Sequence, residues 1–194
     1  MTTEGMRQYW NDTIDLPGLL TERGEDLTRE GLQDTPVRVR QAWEELLEGY
    51  SQDPIELVGT TWDAAGGGLQ ICRNMFFTST CEHHLMTFFG HCHIGYEPQD
   101  GDDGRVIGLS KMSRIVNCFA HRLQIQERMV NQIADVLNEA LNPRALVIVA
   151  NATHLCCRGR GVQRETMDFV TVAFRGEEKR REIILDAIWH KDHI

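Results

Sequence analysis

The stretch Thr80-Cys81-Glu82-His83-His84 sets a cysteine and a histidine three residues apart, with a second histidine between them. From a tight loop, both side chains of such a C-x-x-H pair can reach one zinc ion, so Cys81 and His84 are candidate ligands. His83 then lies beside the ion and is available for proton chemistry. We therefore expect the chain to fold around a metal site at this loop.

A second cluster, His154-Leu155-Cys156-Cys157, can complete the site. It follows the apolar run at residues 145–150, which is typical of a strand. Because side chains alternate along a strand, His154 and Cys156 would share one face, which favours Cys156 over Cys157 as the third ligand. Two thiolates and one imidazole leave a tetrahedral zinc ion one open position, as catalytic sites do. In the alternative, Cys157 is a fourth ligand and the zinc is structural.

Length and composition predict a single cytoplasmic domain. The 194 residues can bury one sizeable core, and the hydrophobic content of 41% is ordinary. No apolar run approaches the roughly 20 residues of a membrane span, and residues 1–7 lack the pattern of a secretory signal. The net charge of −9 argues against a nucleic-acid surface, so we expect neither nucleic-acid nor membrane partners.

Other residues of metal-ligand type have simpler interpretations. Six cysteines in a chain of this length do not resemble a disulfide scaffold, and a reducing compartment suits thiolate ligands. Cys72, Cys92 and Cys118 lie in apolar-patterned segments and are predicted to be small core residues. His91 and His93 share one face of a strand and could form a second metal pair, but no third ligand stands nearby, which favours exposed or hydrogen-bonded histidines.

Periodicity divides the chain into an N-terminal helical segment, residues 1–50, and a mixed domain, residues 51–194. In the first, Thr35 can cap a helix whose first turn contains Pro36. In the second, strands are predicted at residues 69–78, 88–96, 106–109, 145–150 and 169–174, and helices after residues 110, 124 and 177. The last helix is expected to pack inward through Ile183, Ile184, Ala187 and Ile188.

Lys111 and Arg114 lie three residues apart and so share one face of the helix that Ser110 can cap. Backbone N–H groups point outward at the start of a helix, and basic residues beside them can bind phosphate. A pair of this kind, taken alone, more often forms a solvated face.

Several spaced motifs follow one another in a recognisable order. They are Ser79-Thr80-Cys81-Glu82-His83-His84, Ile107-Gly108-Leu109-Ser110-Lys111, Leu123-Gln124-Ile125-Gln126-Glu127-Arg128 and Arg160-Gly161-Val162, preceded by Gly24-Glu25-Asp26 and Asp34-Thr35-Pro36. Through this set, residues 24–190 resemble the GTP cyclohydrolase I family.

The resemblance implies an α+β tunnelling fold, or T-fold. This fold has an antiparallel four-stranded sheet with helices packed on one face, here with an N-terminal helical segment. The resemblance also implies a homo-oligomer that forms a toroid, usually a decamer, with active sites between neighbouring subunits.

Roles for individual residues follow from the same resemblance. It implies one zinc ion per subunit, held by Cys81, His84 and Cys156. The residues that match catalytic positions are His83, His154 and Ser110. Those that match substrate-binding positions are Leu109, Lys111, Arg114, Gln126, Glu127 and Arg160. Among these, Gln126 and Glu127 correspond to residues that bind the guanine edge.

The implied activity is a zinc-dependent hydrolysis and rearrangement of GTP to 7,8-dihydroneopterin triphosphate and formate, the first step of folate and pterin synthesis. One alternative keeps this reaction and feeds 7-deazaguanine nucleoside synthesis. A second is a T-fold reductase of a 7-deazaguanine nitrile, which would need a nucleophilic cysteine and no zinc. A third is an assembly protein that keeps zinc without turnover.

The chain departs from the family pattern in three places. His91 stands where many members have lysine, and residues 62–69 form a glycine-rich loop without a matching lysine. The segment at residues 163–168 replaces a threonine-rich one. Arg158 and Arg164 could restore the positive charge that these changes remove. The short N-terminus carries no recognisable regulatory extension, and we expect no allosteric control.

Overall fold

The structure, a computed structural model, describes residues 2–65, 67–163 and 166–189. The chain forms two compact units, Met1–Glu44 and Glu45–Ile194. The first contains helices α1 (Thr3–Thr13), α2 (Leu16–Glu22), α3 (Glu30–Gln33) and most of α4 (Thr35–Leu46). Side-chain caps start two of them: Thr2 accepts a hydrogen bond from the N–H of Gly5, and Asp15 accepts one from the N–H of Gly18. The boundary between residues 50 and 51 stays a prediction.

The second unit holds all of the strands that the described residues form. One 3₁₀ turn and a five-residue helix come first, four strands follow with a second 3₁₀ turn before the last of them, and helices and strands then alternate. In chain order they are α5 (Pro54–Val58), β1 (Thr61–Asp63), β2 (Gln70–Cys81), β3 (Thr87–Glu97), β4 (Arg105–Ile107), α6 (Leu109–Ala120), β5 (Leu123–Gln124), α7 (Gln126–Leu141), β6 (Ala145–His154), α8 (Leu155–Arg158), β7 (Phe169–Gly176) and α9 (Glu178–Trp189).

One sheet organises this unit, with its strands in the order β5-β2-β3-β6-β7. The four long strands are antiparallel to their neighbours, whereas the two-residue β5 runs parallel to the end of β2. β1 and β4 form a separate antiparallel pair. The predicted α+β class with a four-stranded antiparallel sheet is therefore confirmed, and β5 adds a short fifth strand at one edge.

The main hydrophobic core lies between one face of the sheet and helices α6 and α7. Alternate residues of β3 point into it, as the two-residue period of a strand requires. The apolar stripe of α7 repeats at helical spacing and meets them from the other side. The fully buried members of these two sets include Phe88, Cys92, Ile94, Met129, Ile133 and Leu137.

Helix α9 packs on the opposite face of the same sheet. Val147 and Val149 of β6 form a second buried cluster with Ile184 and Ile188. Residues 145–150 of β6 form a continuous apolar run, and all of them are buried. Because alternate residues of a strand point to opposite faces, both faces of β6 are therefore covered. The expected inward packing of α9 holds for Ile184 and Ile188, but Ile183 is 54% exposed.

Gly90 of β3 gives a test of the packing between β3 and β6. A Cβ atom at this position would lie 2.0 Å from the carbonyl oxygen of Asn151. Main-chain atoms cannot move aside as a flexible side chain can, so we expect Gly90→Ala to lower the free energy of unfolding by about 1–3 kcal/mol or more. Gly31→Ala is the control, because its Cβ would meet nothing closer than 3.7 Å. Denaturant unfolding measures both variants, and equal stability would contradict the packing described.

The cysteines of the core occupy the predicted positions. Cys92 and Cys118 are fully buried and Cys72 is half-buried, and all six cysteines are free thiols. Burial raises the pKa of the Cys92 thiol to about 12. In the part of the chain that the structure describes, no helix has the length and apolar character needed to cross a membrane.

Candidate active site

A tight turn between β2 and β3 presents the first metal-type residues. The N–H of Leu85 donates to the carbonyl of Cys81 at 2.8 Å, and the N–H of Cys81 donates to the carbonyl of Met86 at 2.9 Å. Leu85 takes a positive φ of 54°, which lets the chain reverse within a few residues. The turn brings His84 back beside Cys81, as the C-x-x-H spacing predicted.

The second cluster, residues 154–157, has a local structure that differs from the predicted strand end. β6 ends at His154, and Cys156 and Cys157 lie in the single helical turn α8. The strand alternation used to choose between the two cysteines therefore does not apply. In a helical turn, neighbouring residues can lie close together, and here the Cys156 and Cys157 sulfurs are 3.9 Å apart.

Cys81, His84 and Cys156 form one potential metal-binding group. Their ligand atoms all lie within 4.8 Å of one another, with both cysteines buried and the histidine exposed. Among the described residues this is the one such group of three or more cysteine, histidine or acidic side chains. Within the described part of the chain, His91 and His93 gain no third ligand, and the Nδ1 of the buried His93 accepts a hydrogen bond from the N–H of Asn74.

The electrostatics of the group fit a divalent cation. Burial raises the pKa of the Cys156 thiol to about 11, and the neighbouring Cys81 adds to the rise. Two thiolates this close together repel each other, and a bound cation removes that repulsion. Two sulfurs and one imidazole nitrogen are ligands that zinc prefers. The residues present therefore fit a zinc ion with three protein ligands.

A cavity of about 250 Å³ opens beside this group. Besides Cys81, His84 and Cys156, its walls include ionisable, amide and apolar side chains, a combination typical of small-molecule sites. These further lining residues are His83, Ile125, Gln126, Glu127, His154, Cys157, Met167 and Phe169.

His154 is held by aromatic neighbours. Its ring stacks on Phe88, its cross-strand partner in β3, with ring centres 4.5 Å apart and planes within 4°. Phe169 meets the ring edge-on at 5.9 Å. Burial lowers the pKa of His154, and the nearby Glu127 acts in the opposite direction. The ring thus lies in a fixed plane at the wall of the cavity.

The side chain of Gln126 points into the protein and is 1% exposed. Its Nε2 donates to the carbonyls of Ala150 at 3.0 Å and Phe169 at 2.9 Å. Its Oε1 lies 2.9 Å from Nε2 of His154. Both amide hydrogens are therefore used within the chain, which bears on the guanine-binding role that the resemblance implies for this residue.

An ion pair joins the metal-type loop to the start of α7. The guanidinium of Arg128 contacts the carboxylate of Glu82, and it also donates to the side-chain carbonyl of Gln124 and to the main-chain carbonyl of Leu123. The pKa of the Glu82 carboxyl is lowered by this hydrogen bond from Arg128. The pair connects the loop that carries His83 with the helix that carries Glu127.

Five residues that were predicted to bind or act on the substrate lie outside this cavity. None of these five described residues lines the cavity of the same chain: Leu109, Ser110, Lys111, Arg114 and Arg160. Ser110 also does not cap α6, since Gly108 holds the N-cap position and Ser110 lies in the first turn. Arg158 and Arg160 are exposed. Arg164, which was expected to restore positive charge, lies outside the described residues.

The sequence reasoning missed the aromatic residues that hold His154. Phe88 stacks on it only because the register of β3 against β6 pairs the two residues. Met167 lies just before β7, and Phe169 is the first residue of that strand. No local pattern identifies such partners, because the contact depends on strand pairing between residues that are distant in the chain.

Known proteins match this chain over most of its length. A family model described as GTP cyclohydrolase I matches residues 15–188. The chain is 49% identical over 158 residues to the GTP cyclohydrolase 1 of Wolinella succinogenes, covering 81% of this chain and 82% of the relative. It is 43% identical over 178 residues to the GTP cyclohydrolase 1 of Methylococcus capsulatus, covering 89% and 94%.

A third relative, the GTP cyclohydrolase 1 of Mycobacterium leprae, is 48% identical over 161 residues, covering 83% of this chain and 78% of the relative. Among solved structures, the apo form of the archaeosine synthase QueF-Like matches with a TM-score of 0.45 and 14% identity, over 56% of this chain and 94% of that one. Because this structural similarity is weak, no conclusion about the chain is drawn from it. The sequence matches are long and close, and on their strength the chain belongs to the GTP cyclohydrolase I family of enzymes.

Proposed function

We infer that this chain converts GTP and one net water molecule to formate and 7,8-dihydroneopterin triphosphate, with zinc as cofactor. One observation carries the inference: the Cys81, His84 and Cys156 group shares a cavity with a histidine and a carboxylate suited to a purine. The product would enter pterin and folate synthesis. The cytoplasm, where thiolate ligands stay reduced, is the proposed compartment.

Cys81, His84 and Cys156 would hold the zinc ion. When bound, zinc supplies a nucleophile at neutral pH by lowering the pKa of water to about 7. Three protein ligands leave a tetrahedral ion one open position, whereas structural sites use four. A water molecule must add to C8 of guanine, which is a poor electrophile, and so the remaining residues have to activate that carbon.

His154 is the proposed proton donor to N7 of guanine. Protonation of N7 draws electrons from C8 and makes this carbon easier for water to attack. Cleavage of the C8–N9 bond opens the imidazole ring, and a second hydrolysis at the C8–N7 bond releases C8 as formate. His83, whose Nδ1 lies 3.9 Å from the Cys81 sulfur, is proposed to move protons at the ribose as it opens and rearranges. Closure onto the exposed amines returns one water.

Glu127 is the proposed recognition group for guanine. A carboxylate can accept hydrogen bonds from both the N1–H and the exocyclic amine of guanine, whereas adenine offers no N1–H. Glu127 lines the cavity at the first turn of α7. A site built to pair these two donors rejects purines that lack them.

The triphosphate would be bound with the help of a second subunit. Lys111, Arg114 and Arg160 do not line the cavity of their own chain, although the resemblance assigns them to phosphate. In the described residues, β7 pairs with β6 on one side only, so its other edge is open to another chain. We therefore propose a homo-oligomer with sites between subunits, a decamer as the resemblance implies, in which Ser110 of a neighbour also reaches the ribose.

Glu127→Gln is expected to weaken the selection of GTP. The amide keeps one acceptor but presents an N–H to a guanine N–H, so one charged hydrogen bond is lost and the preference for GTP over ATP falls by about tenfold to a hundredfold. Competition binding of the two nucleotides measures the ratio, with the zinc content as a check on the fold. An unchanged ratio would count against this recognition role.

The function is tested by incubating the purified, zinc-loaded protein with GTP and measuring formate and, after oxidation, neopterin fluorescence. We expect both products in equal amounts. A zinc-stabilised assembly protein would bind the metal and release no formate, and a nitrile reductase would be active without zinc. Either of those results would reject the proposed function.

A further inference from the structure

We propose that Gln126 is a positioning residue that holds His154 in one orientation and keeps its neutral imidazole proton on Nε2. The inference rests on the proposed function, in which His154 donates a proton to the purine. It assigns Gln126 a task different from contact with guanine, and it leaves guanine recognition to Glu127.

The orientation of the Gln126 amide follows from its surroundings. One end of the amide faces two main-chain carbonyl oxygens at 2.9 and 3.0 Å, from Phe169 and Ala150. Only the NH₂ group can satisfy two acceptors, because an oxygen in that place would face two other oxygens. The Oε1 atom must then be the one that meets His154.

The position of the imidazole proton follows in turn. Oε1 of Gln126 is an acceptor, so Nε2 of His154, at 2.9 Å, has to carry a hydrogen. In the neutral ring the second nitrogen, Nδ1, then has the lone pair. Nδ1 is therefore the ring nitrogen that takes up and gives away the catalytic proton: it carries a proton for N7 only when the ring is an imidazolium, and it returns to a lone pair after donation, while Nε2–H stays bonded to Gln126 in both forms.

The surroundings make this arrangement rigid. Gln126 is 1% exposed and ties the start of α7 to the adjacent strands β6 and β7. Phe88 covers one face of the His154 ring. A buried amide with all of its hydrogen-bonding groups engaged cannot rotate without leaving polar atoms unpaired, which costs more than the bonds themselves provide.

The direct test is ¹⁵N solid-state NMR of the zinc-loaded protein with labelled histidine, at a pH where the His154 ring is neutral. We expect a single tautomer for His154, protonated on Nε2 and unprotonated on Nδ1, with its signal assigned by its loss in His154→Ala. A mixture of tautomers, or a proton on Nδ1, would overturn the proposal. This measurement needs no turnover, so its result is separate from that of the formate assay.

Gln126→Met provides the kinetic test, since it keeps the volume and removes the acceptor. We expect mixed tautomers and a fall in kcat of about tenfold to a hundredfold, a fraction of what a general acid contributes. The KM for GTP and the preference for GTP over inosine triphosphate, which lacks the 2-amino group, should stay within about twofold, well short of the loss of a hydrogen bond. A higher KM with unchanged kcat and a changed nucleotide preference would instead show a guanine contact.

Gln124→Met is the matched control. Gln124 is equally buried, and its amide donates to the carbonyl of Phe119 and to the side chain of Gln132, without contact to His154. The control should leave the His154 spectrum as in the wild type. If it also mixes the tautomers, the effect comes from general loosening of the fold and the proposal fails.

Discussion

Cys156→Ala is expected to lose both the metal and the activity. The variant keeps only one sulfur and one imidazole as protein ligands. Loss of a residue that merely hydrogen-bonds to a ligand already lowers metal affinity by about 10–100-fold. We therefore expect zinc affinity to fall by more than roughly 100-fold, and formate release to fall to background. Zinc per chain after dialysis and formate from GTP are the two measurements.

Cys157→Ala is the control for this variant. The Cys157 sulfur lies 3.9 Å from that of Cys156, so the change removes a neighbouring thiol of the same kind. With three protein ligands, the control keeps its zinc. Loss of zinc from Cys157→Ala as well would indicate four protein ligands and a closed, structural site, which contradicts the proposed chemistry.

His154→Ala is expected to separate metal binding from catalysis. His154 is not a member of the ligand group, so the variant should bind one zinc ion as tightly as the wild type. Without its proton donor, ring opening should slow by about a hundredfold to ten-thousandfold, the usual contribution of a general acid. Formate release and bound zinc, measured on the same sample, show the two effects side by side.

His121→Ala is the matched control for His154→Ala. His121 pairs with Glu48 outside the cavity and offers a histidine of no proposed catalytic role. Formate release at the wild-type rate by His154→Ala would refute its role as proton donor. A rate equally reduced in His121→Ala would show that the loss is structural.

The pattern of the sequence was sufficient for the longer strands and helices of the second unit and for the turn that carries Cys81 and His84. The strands predicted at residues 88–96 and 145–150 and the helix predicted after residue 124 all form, and each contributes residues to the main core. The C-x-x-H spacing confines Cys81 and His84 to one turn. The resemblance of several ordered motifs to one family then linked that turn to Cys156, which lies 75 residues after Cys81.

The sequence could not predict how α9 is placed or why Cys156 reaches the group. The run from Ala145 to Ala150 shows that both faces of a strand are apolar, but not which helix covers the second face. The turn of the chain into α8 at Leu155 has no strong signal, since His-Leu-Cys-Cys suits a strand and a helix equally. The cysteine that joins Cys81 and His84 in the structure was thus chosen on a mistaken local structure.

The residues around His154 were the hardest to foresee. Its contacts with Phe88 and Gln126 join elements that are far apart in the sequence, and only the strand register and the packing of α7 create them. A resemblance assigns a role to a position, but the direction of a buried side chain depends on hydrogen bonds that three-dimensional packing sets.

The most direct test of the account is a zinc titration of the metal-free protein, with bound zinc and the formate released from GTP labelled with ¹³C at C8 followed together. The account predicts that labelled formate appears in proportion to bound zinc and reaches its maximum at one ion per chain. Labelled formate from the metal-free protein, or none from the fully loaded protein, would contradict it.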